Sequence, residues 1–382
     1  MPRVDEDPPL TPHAASATLT SYVCASDALV KRNLPVSPLV IGTLQAALAA
    51  LAFGVTTPFI QRFGVGVGPF STALLLYLGA ALGAFGRPRR AGERREAAVR
   101  VRHLPRLFAI AFFGAALAPT LFAWGLQRVP ASLGSLLLNG EAVFTVGLAA
   151  LIYREQVGRR VTLAVGLMFA GGAIALVGAS ATGTVGLAGA LAVIAAVFAW
   201  ALDNVLTRPF ADLDPTAVVR VKALVGVLLT GALAHFFDEP RPGAVPLLGL
   251  LVCGATGYGM SLRLYLHAQR RIGAGRTASV FAVAPFVGVV AAILLGDRSF
   301  DGVMAIAAAL FVTGVALHLT EKHRHEHAHT ALAHDHAHRH DDGHHDHRHD
   351  DASDAPHAHP HEHEARLHAH PHGPDAHHGH EH

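Results

Sequence analysis

The most conspicuous shortage in this sequence is of charge. Only 15% of its 382 residues are Asp, Glu, Lys or Arg, whereas soluble globular proteins carry about 25%. Hydrophobic residues make up 51% of the chain, and the mean hydropathy is +0.37. So little charge cannot cover the surface of a soluble protein of this length, which argues against an ordinary cytosolic enzyme.

Cysteine is also scarce. Cys24 and Cys253 are the only two, so the sequence offers no disulfide framework and no CxxC metal or redox motif. The first residues lack the basic start of a secretory signal, because acidic residues stand at positions 5–7 and prolines follow them. We therefore interpret residues 1–37 as a polar, disordered N-terminal lead-in.

Long apolar runs dominate residues 38–320. About 20 apolar residues cross a bilayer core as a helix, and a helix satisfies its own backbone polar groups there. Several runs are apolar on all sides, unlike the amphipathic helices of a soluble helical protein. The sequence therefore predicts an all-α integral membrane protein with ten transmembrane helices. The predicted runs are 39–60, 68–86, 104–126, 131–152, 159–179, 186–206, 215–237, 245–267, 275–295 and 302–320.

Basic residues are distributed unevenly among the connections between these runs, and we call the side that collects them the arginine-rich side. Its connections contain Arg87, Arg89, Arg90, Arg94, Arg95, Arg100, Arg102, Arg106, Arg154, Arg159, Arg160, Arg208, Arg220, Lys222, Arg270, Arg271 and Arg276. The opposite connections contain only Arg62, Arg128, Arg241 and Arg298. Because basic loops stay in the cytoplasm, we predict a multi-pass protein of the bacterial inner (plasma) membrane with both termini cytoplasmic.

The chain also repeats itself. A shift of 142 residues places Gln127 on Gln269 and Glu155 on Asp297. Since each half contains five runs, the second half enters the membrane in the opposite direction. Inverted repeats are typical of secondary transporters, which bind their substrates near the bilayer midplane between the halves. The predicted organisation is a lead-in over 1–37, five-helix repeats over 38–180 and 181–320, and a tail over 321–382.

Three segments carry a resemblance to a known family. They are ASLGSLLLNGEAVFTVGLAALIYREQVGRRV at 131–161, AWALDNVLTRPFADLDP at 199–215 and GYGMSLRLYLHAQRRIGAGRTASVFAVAPFVG at 257–288. Over about residues 40–320 the chain resembles the EamA-type members of the drug/metabolite transporter superfamily, and its tail looks like a His-rich branch of them. The resemblance implies ten helices in two repeats and export or exchange of small metabolites. The sequence departs from many members at Asn139, Gly140 and Glu141, where they have a proline, whereas Pro285 is retained near the matching place.

Glu141 is the first candidate for the substrate or coupling-ion pathway. It lies near the middle of the fourth run, where a charged side chain is costly and usually faces a cavity or a partner. Gly140 allows close backbone approach beside it, and Asn139 lies two positions away. We expect a carboxylate that binds a proton or a cationic group. The alternative is a protonated Glu141 that packs against a neighbouring helix.

A second group lies toward the arginine-rich ends of helices six to eight. Its members are Asp203, Asn204, Lys222 and Arg263. An ion pair of Asp203 with either Lys222 or Arg263 would gate that mouth, although long basic side chains also reach the interface without a partner. The aromatic residues Trp124, Trp200, Tyr153 and Tyr258 lie near run ends and fit an interfacial belt. Trp200 is close to Asp203 in the sequence, and an alternative to the interfacial belt is that it lines the transport cavity.

The tail contains most of the histidine. Residues 321–382 hold 23 of the 28 histidines and carry a net charge of −8 with neutral His, against +10 for the rest of the chain. Imidazole suits Zn, Ni, Co and Cu, so we predict that the tail binds such metals and is disordered without them. Protonation of the histidines is an alternative role. The candidate metal ligands are His323, His325, His327, His329, His344, His345, His347 and His349.

These observations favour a secondary transporter over an enzyme. The sequence has no Gly-rich phosphate loop, nucleophile elbow or HExxH motif. We expect proton-coupled export or exchange of a small organic metabolite, with no required cofactor. Divalent transition-metal efflux, with the tail as metal collector or sensor, is the alternative, and a metal or pH sensor anchored by its helices ranks last. The expected partners are the bilayer and a small-molecule substrate, with transition metals and a homodimer left open and no nucleic acid.

Overall fold

The computed structural model describes residues 37–85, 101–153, 157–181, 186–207, 210 and 215–320, and 326–329, 332–338, 357–363 and 366–369 of the tail. Ten apolar helices follow one another up to residue 320. They are α1 (Pro38–Phe63), α2 (Pro69–Phe85), α3 (Val101–Leu126), α4 (Ala131–Tyr153), α5 (Arg159–Ala181), α6 (Leu187–Thr207), α7 (Pro215–Phe236), α8 (244–272), α9 (274–294) and α10 (Gly302–Leu319).

Most of these helices are long and apolar enough to span a membrane. Nine candidate spans occur in the described part of the chain, and the apolar part of α2, Pro69–Gly83, is shorter than they are. The prediction of a multi-pass helical membrane protein is therefore confirmed, while the count of ten spans stays a prediction because of α2. Local signals explain the tight connections: Ser37 caps α1 by accepting a hydrogen bond from Leu39 N at 3.3 Å, and Gly273 turns the chain between α8 and α9 with φ +81°.

Four of the helices are not regular throughout. α3 consists of a 3₁₀ turn (Val101–His103), an α-helix (Leu104–Ala111), a π-helical segment (Phe112–Leu117) and a second α-helix (Ala118–Leu126). α8 also contains a π-helical segment, Gly254–Met260, which lies between the α-helices Ala244–Cys253 and Ser261–Ile272. α4 is broken between Ala131–Leu137 and Gly140–Tyr153, and α9 is broken between Ala274–Phe281 and Ala284–Leu294.

The irregularities repeat with the sequence. The π-helical segment of α8 begins 142 positions after that of α3, which is the shift that relates Gln127 to Gln269. The shift of 142 residues also relates the break at 138–139 to the break at 282–283, to within two residues. Pro285 stands in the first turn of the second part of α9, where its missing N–H costs no helical hydrogen bond. In α4, Asn139 and Gly140 interrupt the helix without a proline.

Helix packing follows the inverted repeat as well. α2 packs against α7, α4 against α9 and α5 against α10, so these helices contact their own counterparts in the other half. α1 packs against α8 and α9, and its counterpart α6 packs against α3 and α4. Several of the largest fully buried side chains lie on α3, α4 and α6, which pack against one another: Phe122, Leu126, Leu133 and Val193.

The tail forms strands in the segments that the structure describes. β1 (Glu326–His329) pairs antiparallel with β4 (Arg366–Ala369), and β2 (Leu332–His338) pairs antiparallel with β3 (His357–His363). The predicted disorder of the tail is therefore not confirmed. Strict alternation of histidine with other residues, as in LAHDHAH at 332–338, is a period-two pattern, which suits an extended strand.

Candidate functional site

The break in α4 places Glu141 in the first turn of the helix Gly140–Tyr153. The Asn139 side chain, 6% exposed, donates from Nδ2 to the Leu136 carbonyl at 3.0 Å. The Leu136 carbonyl also accepts from Asn139 N at 3.2 Å, so the Asn139 side chain adds a second donor from the same residue at the break. Asn139 and Glu141 were both predicted to line the pathway. Asn139 instead forms a hydrogen bond within the break of α4, whereas Glu141 lies in the helix that follows the break.

Glu141 has its partner on α6. Asn204 Nδ2 donates to Glu141 Oε1 at 2.6 Å, so the packing of α4 against α6 brings together two residues that are 63 positions apart. This contact connects Glu141, the first candidate predicted from the sequence, to Asn204, a member of the second candidate group. A neutral amide stabilises the carboxylate by a hydrogen bond without neutralising its charge, and Glu141 therefore keeps the capacity to bind a proton or a cation.

Asp203, the residue before Asn204, forms an ion pair with Lys222 of α7. The Asp203 side chain is 3% exposed and that of Lys222 is 23% exposed, while Thr207 Oγ1 donates to Asp203 Oδ1 at 3.4 Å. Asp203 also lies against α3, because a Cβ at Gly114 would collide with the Asp203 carboxylate. Only glycine leaves this space for the carboxylate.

Arg263, the other predicted partner of Asp203, has a different contact. Its Nη1 donates to the Gly83 carbonyl at 2.8 Å, near the end of α2. The last carbonyls of a helix have no helical donor, and a basic side chain there satisfies one of them. Of the two ion pairs proposed from the sequence, the structure contains the one with Lys222.

The π-helical segment of α3 supplies a further polar contact beside this pair. The Gly114 carbonyl accepts hydrogen bonds from Tyr77 Oη at 2.6 Å and from Trp200 Nε1 at 3.1 Å. Trp200 is 8% exposed and Tyr77 is 8% exposed. The prediction that Trp200 belongs to an interfacial belt is wrong, because its ring packs inside the protein with its N–H satisfied. Tyr77 was missed, although a hydroxyl within an apolar run is a signal that a buried partner exists.

Aromatic rings from α1, α2, α8 and α9 form a continuous series, and we call this series the aromatic row. Neighbouring ring centroids lie 5.0–5.9 Å apart. In order, the row consists of Tyr77, Tyr258, Phe53, Phe281 and Tyr265. Tyr258 lies in the π-helical segment of α8, so its predicted place in an interfacial belt is wrong too.

The packing of α4 against α9 differs between the arginine-rich side and the opposite side. On the opposite side, Ala131–Leu137 of α4 packs against Ala284–Leu294 of α9. The symmetry-related parts, Gly140–Tyr153 and Ala274–Phe281, have no comparable packing among the described residues. We call the gap between them the open crevice. Residues 141–146, 262–266 and 279–282 at its walls are half-buried.

Carboxylates from the second half hold the opposite side closed. Asp297, in the connection after α9, accepts hydrogen bonds from Ser132 N at 2.8 Å and Ser299 N at 2.9 Å. Glu239, after α7, accepts from Phe70 N at 3.0 Å and Ser71 N at 2.6 Å. Both carboxylates thus satisfy N–H groups in the first turns of helices of the first half. The sequence analysis related Asp297 to Glu155 through the repeat, whereas it missed Glu239.

The hydrogen bonds of Asp297 also set its acidity. Burial by itself would raise the pKa of this carboxyl, but the hydrogen bonds from Ser299 and Ser132 outweigh burial and hold the pKa below its usual value. Asp297 is therefore ionised at neutral pH and remains an acceptor for the first turn of α4.

The predicted metal ligands lie mostly outside the described residues, as His323, His325, His344, His345, His347 and His349 do. His327 and His329 belong to β1, where the backbone register pairs them with His368 and Arg366. Within the part of the chain searched for them, no group of three or more His, Cys, Asp or Glu side chains could hold a metal ion. Metal binding by the tail therefore stays a prediction.

Both halves of the chain match the same family of known proteins. Residues 40–177 and residues 187–320 each match the EamA-like transporter family. A solved crystal structure of a protein covers 72% of this chain and 94% of its own length with a TM-score of 0.51. At 19% identity this likeness concerns the fold alone.

Several curated relatives are named as transporters. A "Probable terminal-alkyne amino-acid exporter" of Streptantibioticus cattleyicolor is 30% identical over 270 residues, 66% of this chain and 84% of that protein. A "Probable amino-acid metabolite efflux pump" of Salmonella typhimurium is 26% identical over 50% of this chain and 68% of its own length. An "Uncharacterized transporter" of Methanothermobacter thermautotrophicus is 29% identical over 55% of this chain, and the match spans 62% of that relative's length.

Proposed function

The chain belongs to the EamA-like transporter family, and from this premise we propose that it is a proton-coupled secondary transporter that exports or exchanges a small organic metabolite. The names of the relatives from Streptantibioticus and Salmonella favour an amino acid or a compound derived from one. The proposed location is the bacterial inner membrane, with both termini and the open crevice facing the cytoplasm. The proposed repeats are 38–180 and 181–320.

The observation that carries this proposal is Glu141 at the open crevice, where the Asn204 amide is its one hydrogen-bond partner among the described residues. Asn204 donates to the carboxylate at 2.6 Å, and the nearest ion pair, Asp203 with Lys222, already neutralises itself. The Glu141 carboxyl is therefore left to bind a proton or a substrate cation. An ionisable group inside a membrane typically marks such a pathway, and alternation of the open side would expose it to each compartment in turn.

Glu141→Gln in proteoliposomes tests the proposal. The variant keeps the hydrogen bond with Asn204 but cannot exchange a proton, so accumulation of labelled amino acids driven by a pH gradient should be abolished. Asp301→Asn is the matched control, because Asp301 caps α10 by accepting from Met304 N at 2.9 Å, a role that Asn retains. A Glu141→Gln protein with full pH-driven transport would remove Glu141 from the mechanism.

The transition-metal alternative has only the sequence of the tail in its favour. The described residues around Glu141 supply carboxylate and amide oxygens, which suit harder cations than Zn or Cu. No observation in the described part of the chain favours metal as the transported substrate, and we retain a metal role only as a proposal for the tail. Neither a required cofactor nor an enzymatic activity is part of the proposed function.

A further inference from the structure

The Asp203–Lys222 ion pair connects two helices that have little other contact. Asp203 is on α6 and Lys222 is on α7, and these helices show no extended packing against each other among the described residues. Each of them packs on α3 instead. The ion pair therefore crosses a space between α6 and α7 beside Gly114 of α3, and we call this space the α6–α7 gap.

The two members of the pair are held to different degrees. The Asp203 side chain is 3% exposed, accepts a hydrogen bond from Thr207 Oγ1 at 3.4 Å, and occupies the room that Gly114 leaves. The Lys222 side chain is 23% exposed, and Asp203 is its one hydrogen-bond partner in the described part of the chain. A ligand can therefore reach the ammonium group of Lys222, whereas the carboxylate of Asp203 is covered.

Helix geometry indicates which way Lys222 faces. The outer surface of α7 carries Leu224 and Leu228, which are 56% and 63% exposed. At 3.6 residues per turn, Lys222 points about 160° away from Leu224 and about 120° away from Leu228. The exposed part of Lys222 thus faces the interior of the protein, on the side of the α6–α7 gap, and not the lipid that surrounds Leu224.

An exposed ammonium group that is already paired with a carboxylate suits a second carboxylate. The Lys222 ammonium has three N–H donors that rotate freely, and in the described structure it donates to Asp203 Oδ2. A ligand carboxylate can accept from another N–H while Asp203 keeps its own, so the ammonium is never without a counter-charge. Hydrogen bonds between ionised groups are the strong ones. A cationic ligand is instead repelled by Lys222 and finds Asp203 covered.

We propose that Lys222 binds a carboxylate group of the transported molecule in the α6–α7 gap, where this carboxylate competes with Asp203 for the ammonium group. The inference rests on the proposed function and specifies its substrate class, a small molecule with a carboxylate, as an amino acid has. Asp203 compensates the charge of Lys222 while no ligand is bound. Because it competes with the ligand, Asp203 also weakens binding and thereby favours release.

Ligand protection of the purified full-length protein tests this inference with three related probes. L-leucine has both charged ends, 4-methylpentanoate has only the carboxylate, and 3-methylbutylamine has only the ammonium. We expect leucine and 4-methylpentanoate to raise the melting temperature of the wild type, because a ligand that binds only the folded state stabilises it, and we expect 3-methylbutylamine to leave it unchanged. Equal protection by all three probes, protection by 3-methylbutylamine alone, or protection by none of them would overturn the inference.

Variants of the pair distinguish competition for the ammonium from a purely structural ion pair. Asp203→Asn frees the ammonium group, so the affinity for 4-methylpentanoate, measured by titration calorimetry well below the melting temperature, should rise about tenfold. The double variant Asp203→Asn with Lys222→Met has no charge at this place and should lose binding. An unchanged or lower affinity in Asp203→Asn would overturn the proposal, because a structural pair predicts no gain.

The control removes a basic side chain elsewhere. Arg128 lies on the opposite side, where its guanidinium stacks over the Trp124 ring at 3.8 Å from the centroid, so Arg128→Met should bind 4-methylpentanoate as the wild type does. If Asp203→Asn does not fold, the double variant is decisive, since retained binding of 4-methylpentanoate without the ammonium group would overturn the assignment to Lys222.

Failure of this inference can be distinguished from failure of the proposed function. A protein that binds 4-methylpentanoate through Lys222 but moves no labelled amino acid in proteoliposomes would overturn transport and leave the carboxylate site in place. A protein that shows Glu141-dependent transport but is protected only by 3-methylbutylamine would leave transport in place and overturn the carboxylate site.

Discussion

Among individual side chains, the Asp203–Lys222 ion pair is the most costly group to keep within the apolar body of the protein. A single charge at the centre of a membrane helix costs about 2.5–3.5 kcal/mol on insertion scales. Asp203 is 3% exposed and Lys222 is 23% exposed, so neither is fully hydrated. Pairing offsets much of the desolvation, and loss of one partner leaves the other charge uncompensated.

We predict that breaking this pair is worse than removing it. Asp203→Asn should lower the free energy of unfolding by about 3 kcal/mol, at the lower end for buried pairs because Lys222 is partly exposed. The double variant Asp203→Asn with Lys222→Met should recover most of that loss, since no unpaired charge remains. Melting temperatures in detergent would measure both effects. Additive losses would show that the two side chains contribute independently of each other.

At the scale of elements, the irregular segments occur in related pairs. The π-helical segments of α3 and α8, and the breaks of α4 and α9, stand at nearly equivalent places in the two halves. π-helical segments free backbone carbonyls and frequently occur at functional sites. Here the Gly114 carbonyl accepts from Tyr77 and Trp200, and Tyr258 of the other π-helical segment packs against Tyr77 with ring centroids 5.8 Å apart. The irregular helices therefore position the candidate site.

An Asp297 variant tests whether the hydrogen bond from Ser132 of the first half to Asp297 of the second half affects transport. Asp297→Ala removes the acceptor for Ser132 N and should cost about 1 kcal/mol of stability. Asp301→Ala is the matched control, because Asp301 caps α10 within its own half and its loss should cost a similar amount. We expect Asp297→Ala alone to change the transport rate. Equal transport in the two variants would reduce Asp297 to a structural cap.

The acid dependence of Asp297 follows from its lowered pKa. An acid whose folded-state pKa lies below the unfolded value, about 3.9, contributes stability above the unfolded pKa and loses it as the pH falls through the folded pKa. The difference in melting temperature between wild type and Asp297→Ala should therefore be constant near neutral pH and shrink below about pH 4. A difference that disappears between pH 6 and 7 would contradict this origin.

For the whole molecule, the helical body and the tail are separable in the described structure. The residues proposed to bind a ligand all lie between 38 and 320, and the described tail strands pair only with one another, β1 with β4 and β2 with β3. A two-stranded sheet is marginally stable by itself in water. The tail strands therefore gain from any additional contact, including the proposed metal.

Removal of residues 321–382 should leave transport of the organic substrate intact. All ten helices and every candidate residue in the open crevice remain after truncation behind Thr320, so the free energy of unfolding should change by no more than about 0.5 kcal/mol. Transport in proteoliposomes is the measurement, with added Zn as a second condition. Strong Zn, Ni or Co hypersensitivity that the full-length chain rescues and residues 1–320 do not would instead favour metal as cargo.

Period and composition were sufficient to predict the membrane helices and the inverted repeat. Apolar runs of helical length have few alternatives in a bilayer, because every backbone polar group must be satisfied within the segment. Glu141, Asp203 and Lys222 were identifiable for the same reason, since a charge in an apolar run needs a partner or a cavity. Which partner each would have was open, because Lys222 and Arg263 both lie toward the same side in sequence.

Tertiary packing decided the rest. Three contacts depend on how distant helices are oriented. They are the hydrogen bond of Asn204 with Glu141, the ion pair of Asp203 with Lys222, and the ring contact of Tyr77 with Tyr258. Helical periodicity states which residues share a face, but it does not state which other helix meets that face. The side on which α4 and α9 separate was likewise undetermined, because the two halves have similar sequences and only their packing against each other is asymmetric.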